Sequence, residues 1–223
     1  VIVVARGEDK LRELYSGHEN AELLSGDITD YGTIDQLEYM VGERQLHGMV
    51  VNAGGPPAKM VLETTLQDWD DAYQKILKWK VAITQTFVPK MMKAGYGRIV
   101  YIESSSVKQP IENLVLSNSL RLAVVGMVKT LSQEIARSGV TLNIIGPGSH
   151  NTPAIDRLYI KKAEQTGLSF EEVKKNAVNQ IPVGSLGEAE DFASLALWLL
   201  SPHSRYVTGQ TMIADGGMVK ATL

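Results

Sequence analysis

The chain has 223 residues and a mass of 24.4 kDa, 44% of its residues hydrophobic and 21% charged, which suits one α/β domain of ordinary globular composition. A net charge of −3 and a pI near 5.9 leave no broad basic surface for nucleic acid. The absence of cysteine excludes disulfides and thiolate metal sites, and the four histidines show no metal-ligand spacing. The apolar run LALWLL (195–200) is far too short to span a membrane, and the opening residues do not read as a signal peptide, so a cytoplasmic protein is expected.

Taken in chain order, short apolar runs alternate with longer amphipathic segments. VIVVA (1–5) reads as a strand, followed by a helix around 10–15, then AELL (21–24) and a helix over 33–41. GMVVN (48–52) precedes a long helix over 69–93, and RIVYI (98–102) precedes another over 116–138. VTLNII (140–145) leads into a long segment, a helix at 189–200, and a last strand TMIA (211–214). Uninterrupted β-rich runs bounded by Gly or Asn indicate strands buried on both faces, hence a parallel sheet between helices. Their alternation with helices implies right-handed crossovers and a doubly wound, Rossmann-type sheet. With no linker or repeat, residues 1–223 are expected to form one domain.

The opening is unusual for such a sheet. Its first strand is central, and the turn after that strand cradles a pyrophosphate at a helix N-terminus. VIVVA is followed by ARGEDKL, which has a single glycine and makes a poor phosphate turn. We therefore expect an upstream segment on the order of one strand, turn and helix, with the first strand and phosphate turn missing from this chain. The alternative is that VIVVA is itself the first strand.

NAGG (52–55) ends an apolar run, where glycine permits close backbone approach to a ligand. It is followed in order by GRIV (97–100), serines 104–106, a long helix, VTLNIIGPG (140–148) and TGQTMIADGG (208–217). This series resembles the short-chain dehydrogenase/reductase family, especially its 3-oxoacyl-acyl-carrier-protein-reductase-like branch, from Val1 to Gly217. The resemblance implies a dinucleotide cofactor. Asp27, with Ile28 beside it, matches the acid at the adenine amino group, although Asp27 also fits a helix N-terminal acid before Tyr31. Asn52, Ala53 and Gly54 match the segment against the adenine ribose, and Pro147, Gly148 and Thr152 match the loop at the nicotinamide end. Arg6 follows Ala5, the position where an acid would hold the ribose 2′-hydroxyl. A guanidinium there pairs with a 2′-phosphate, which favours NADP(H) over NAD(H), unless Arg6 is simply solvated.

In the family, a serine and a tyrosine bind the substrate oxygen, a lysine one turn on lowers the tyrosine pKa, and an asparagine holds a water on the proton path. Aligned on GRIV, the serine is Ser104, but the tyrosine position holds Ser117 and the lysine position Arg121. Aligned on Trp69, the asparagine position holds Ile76. A seryl hydroxyl is a far weaker acid than a phenol, and arginine is a poor proton carrier that can still stabilise an oxyanion. Ser117 and Arg121 are four residues apart on one helix face, so they form either a hydroxyl-and-cation pocket with Ser104 or merely satisfy each other. Tyr101, Glu103, Lys108 and His150 are further candidates for the missing acid.

Residues 150–186 match the family's substrate lid, and SFEE (169–172) has the form of a capping box ahead of a helix there. The expected activity is hydride exchange between NADP(H) and a small-molecule carbonyl or secondary alcohol. The expected assembly is a homotetramer or homodimer, with no nucleic-acid or membrane partner. The rival reading is a non-catalytic dinucleotide-binding sensor or regulatory protein.

Overall fold

Every apolar run read as a strand forms a parallel strand. The computed structural model describes residues 1–52 and 54–222, and of Ala154 the backbone alone. The order is β1 (Ile2–Ala5), α1 (Glu8–Tyr15), β2 (Glu22–Ser25), α2 (Tyr31–Val41), β3 (Gly48–Val51) and α3 (Leu66–Tyr73). A π-helical turn (Gln74–Lys78) joins α3 to α4 (Trp79–Lys93). Then come β4 (Gly97–Ile102), α5 (Val115–Glu134), β5 (Val140–Pro147), α6 (Pro153–Thr166), α7 (Phe170–Val178), α8 (Ala189–Leu200) and β6 (Thr211–Ala214).

β1 pairs with β2, and β3, β4, β5 and β6 form a second sheet in that order, all parallel. Among the described residues no ladder joins β1 to β3, but Ile2, Val4 and Leu24 pack on the same core as Val51. β4 shows why its sequence has no polar alternation. Ile99 and Tyr101 face the core built from α2, α4 and α5, while Val100 and Ile102 face Phe192 and Leu199 of α8. Arg98 is buried in the same strand because Nη1 donates to the carbonyls of Gly97 and Gly139, at 2.8 and 2.9 Å.

Local chemistry sets the helix ends. Asp30 caps α2 by accepting from Gly32 N at 3.1 Å, and Thr65 and Asp68 form a capping box on α3. The capping box expected at SFEE forms between Ser169 and Glu172 and starts α7. Two expectations need revision. The helix foreseen over 69–93 is divided by the π-turn, which apolar spacing alone does not distinguish from an α-turn. The long segment after Gly148 carries two helices, because Gly167 adopts a left-handed conformation (φ 73°) that ends α6 before Ser169 starts α7.

Candidate functional site

In a parallel sheet all carboxyl ends lie along one edge, where α/β folds bind ligands. There, the ends of β1, β2 and β3 surround a cavity of about 430 Å³ whose lining includes Arg6, Asp27, Ile28, Asn52, Gly54 and Lys75. Residues foreseen as cofactor-binding on sequence grounds are thus brought together from three strands; Ala53 lies outside the described residues. The Arg6 side chain is largely exposed, with Nη1 3.9 Å from Asp27 Oδ2. Asp27 Oδ1 accepts from Thr29 N and Oγ1, at 3.0 and 2.8 Å, and these bonds are the main reason its carboxyl titrates below the usual range. Oδ2 is left toward Arg6. Asp27 is not the cap of α2, a role taken by Asp30. Lys75, on the π-turn, was not foreseen; nothing about its spacing marks it.

The loop after β5 is held by tight packing. Gly148 N donates to Ala214 O at 2.9 Å, and a Cβ on Gly148 would lie 2.5 Å from Asp215 Cβ, so only glycine fits. Pro147 closes β5 and Thr152 precedes α6, its hydroxyl 3.4 Å from His150 O. His150 packs edge-on against Phe192 at 5.2 Å, with Nδ1 3.2 Å from Gly148 O. Its ring therefore belongs to a second hollow of about 220 Å³, lined also by Ser149, Leu186 and Asp215.

The remaining candidates meet at the end of β4. Ser104 caps a short 3₁₀ turn (Ser105–Val107), its Oγ accepting from Ser106 N at 3.1 Å. That turn packs on α5, which carries Ser117 and Arg121 one turn apart, both buried. Arg121 Nε donates to Ser117 Oγ at 3.0 Å, and Nη1 donates to the backbone O and Oε2 of Glu103, at 2.9 and 3.0 Å. Lys80 Nζ of α4 meets the other carboxylate oxygen, Glu103 Oε1, at 2.5 Å. Side-chain exposures of 2% for Lys80, 0% for Glu103 and 10% for Arg121 make this a buried cluster of two cations on one anion. Burial is the first cause of a lowered Lys80 pKa, opposed by Glu103 and reinforced by Arg121. Arg121 Nη2 points at the turn after β3, where a Cβ on Gly55 would lie 3.5 Å away.

Arg121 and Ser117 do satisfy each other, and the direction of that bond has a consequence. Both seryl oxygens accept from fixed N–H groups, and among the described residues neither hydroxyl donates to a protein acceptor. The other candidates are placed elsewhere. Ile76 is 1% exposed and has no polar atom to hold a water. Tyr101 is fully buried, its OH 2.6 Å from Thr84 Oγ1, and burial pushes its pKa up to about 12. Lys108 is exposed. Glu103, considered as an acid, is a shared anion; Lys80 was missed, although a lysine within the apolar stretch WKVAITQTF is a visible anomaly.

Residues 1–219 match the family model described as Enoyl-(Acyl carrier protein) reductase. The chain is 33% identical over 196 residues to a 3-oxoacyl-acyl-carrier-protein reductase of Thermotoga maritima, covering 86% of this chain and 74% of that protein. It is 32% identical over 222 residues to the reductase of the same name from Rickettsia typhi, covering 98% and 86%. Among solved structures it resembles an actinorhodin polyketide ketoreductase with NADPH, at a TM-score of 0.91 and 28% identity over 99% of this chain and 87% of that one.

Proposed function

This chain belongs to the short-chain dehydrogenase/reductase family, and from that premise we propose that it is an atypical NADP(H)-dependent oxidoreductase acting on a carbonyl or secondary alcohol, as 3-oxoacyl reductases do. The observation that carries this reading is the Arg121 Nε–Ser117 Oγ bond on the helix against which the turn after Ser104 packs, with neither seryl hydroxyl donating to a protein acceptor among the described residues.

Residues 1–223 act as one dinucleotide-binding domain, with α6 and α7 in the lid about 150–186. The cavity at β1–β3 fits an anionic cofactor, since Arg6 and Lys75 both line it and the edge beside Gly54 is open. Arg6, Asp27, Ile28, Asn52, Ala53 and Gly54 would hold the adenosine end, and Pro147, Gly148 and Thr152 the nicotinamide end. Arg6 without an acid at Ala5 favours the 2′-phosphate of NADP(H). A bound nicotinamide supplies or accepts the hydride. The protein's own task is to stabilise negative charge on the substrate oxygen. Ser104 and Ser117 donate to it, and Arg121 strengthens Ser117 as a donor by holding its oxygen as an acceptor. Serine cannot deliver a proton as tyrosine does, so the substrate oxygen takes its proton from solvent water and turnover of ordinary ketones is weak. We place the protein in the cytoplasm as a homotetramer or homodimer, a reading supported by exposed Tyr73, Met92 and Leu122 on α3, α4 and α5.

Steady-state oxidation of NADPH with acetoacetyl-coenzyme A tests the reading on the full-length protein. Slow turnover abolished by Ser104→Ala is the expected result. Tight NADPH binding with no turnover on a carbonyl panel would favour the rival, a non-catalytic dinucleotide sensor, for which buried Ile76 at the proton-path position is the supporting observation.

A further inference from the structure

Lys80 and Glu103 are buried charges that the carbonyl chemistry above does not call on. A buried ion cluster gives little net stability, so its place beside Arg121 needs another cause. The directions of its bonds supply one. Arg121 Nη1 is bonded to two acceptors of one residue, the Glu103 carbonyl at 2.9 Å and Oε2 at 3.0 Å, which fixes the guanidinium plane. With the plane fixed, Nε points at Ser117 Oγ, 3.0 Å away. Lys80 holds Oε1, so the carboxylate cannot swing away. Unheld, the Ser117 hydroxyl is free to rotate, and its hydrogen is no longer directed to the substrate.

We propose that Glu103, anchored by Lys80, is a positioning residue of this site: it clamps Arg121 so that Nε–H fills the acceptor side of Ser117 Oγ and the Ser117 hydroxyl hydrogen is left for the substrate oxygen. The proposal rests on the reading of Ser117 as a donor in carbonyl reduction. Glu103 thus acts only through Arg121 and Ser117, never on the reacting atoms.

The test is a double-variant cycle on the full-length protein with NADPH and acetoacetyl-coenzyme A. Ser117→Ala should lower kcat by about 10²-fold, as loss of one oxyanion donor does. Glu103→Gln should lower kcat by about tenfold or more with little change in the KM for NADPH, and Glu103→Asp should recover part of the loss. Because Glu103 works through Ser117, Glu103→Gln should cost nothing further in the Ser117→Ala background; additive losses would overturn the proposal. If Glu103→Gln does not fold, Lys80→Met, which leaves one cation on one anion, carries the same comparison. A second readout is independent of turnover. The Arg121 Nε–H signal in ¹⁵N spectra should be protected from exchange in the native protein and lose that protection in Glu103→Gln or Lys80→Met. If no carbonyl is reduced, the reductase reading falls, and the clamp is decided by this signal alone: unchanged protection in the variants refutes it.

Discussion

Two substitutions in the buried cluster, Glu103→Gln and Lys80→Met, should differ sharply in their effect on stability. Glu103 is the one anion between two cations, bonded to Lys80 on one oxygen and Arg121 on the other. Glu103→Gln leaves both cations buried without a counter-charge, and removing the partner of a buried ion costs about 3–5 kcal/mol. Lys80→Met keeps Glu103 and Arg121 as a neutral pair. It loses one charge-assisted bond, about 1.5–3 kcal/mol, but also relieves the desolvation of an ammonium that is several kcal/mol by itself. Methionine fills the lysine stem, so the net change should lie within about 1 kcal/mol of zero. For a domain of this size, about 2–4 °C of Tm corresponds to 1 kcal/mol, so Glu103→Gln should lower Tm by roughly 6–20 °C and Lys80→Met by less than about 4 °C. Urea denaturation at pH 7, followed by both circular dichroism and tryptophan fluorescence, measures the difference directly. Equal destabilisation by the two, or a larger loss in Lys80→Met, would refute the description of Glu103 as the shared anion.

Arg6→Ala should weaken NADPH binding by about 1.5–3 kcal/mol while leaving NADH binding nearly unchanged; fluorescence titration giving comparable affinities for both cofactors in the native protein would remove the basis for this. Ser117→Tyr with Arg121→Lys should raise reduction of a simple ketone, but by less than the roughly 10²–10⁴-fold of a positioned general acid, because Ile76 still interrupts the proton path; an unchanged or lower rate, with NADPH binding intact, counts against a weakened acid site. Tyr101 has a folded-state pKa raised from 10.0 to about 12 by burial. Its contribution to stability is therefore complete below pH 10 and lost as the pH rises toward 12, so Tyr101→Phe should flatten that alkaline loss in denaturation curves.

The strands were legible because burial on both faces writes itself as an unbroken apolar run: GRIVYI, for instance, serves α4 and α5 on one face and α8 on the other. The spacing of Ser117 and Arg121 likewise placed both on one helix face. The partners of Arg121 were less legible. Lys80 and Glu103 lie 23 residues apart, on a helix and at a strand end, and nothing local pairs them. Whether a lysine in an amphipathic helix faces core or solvent depends on helix phase, and the π-turn resets that phase unseen by periodicity. Asp27 shows a related limit: the sequence offered adenine recognition or a helix-terminal role, while the structure ties one of its oxygens into a turn with Thr29.

The buried charge cluster depends on the π-turn as well. A π-turn holds one more residue than an α-turn, and each residue is about 100° of helix rotation. The extra residue lets α3 lie against α5 while Lys80 of α4 still faces Glu103. Deleting one residue from Gln74–Lys78 would break that agreement, because α3 and Lys80 could not both keep their neighbours. In an unbroken α-helix the ammonium would lie more than a quarter turn from its carboxylate. The cluster is thus held by the π-turn as much as by its three side chains, and without that turn a lone charge would be buried instead.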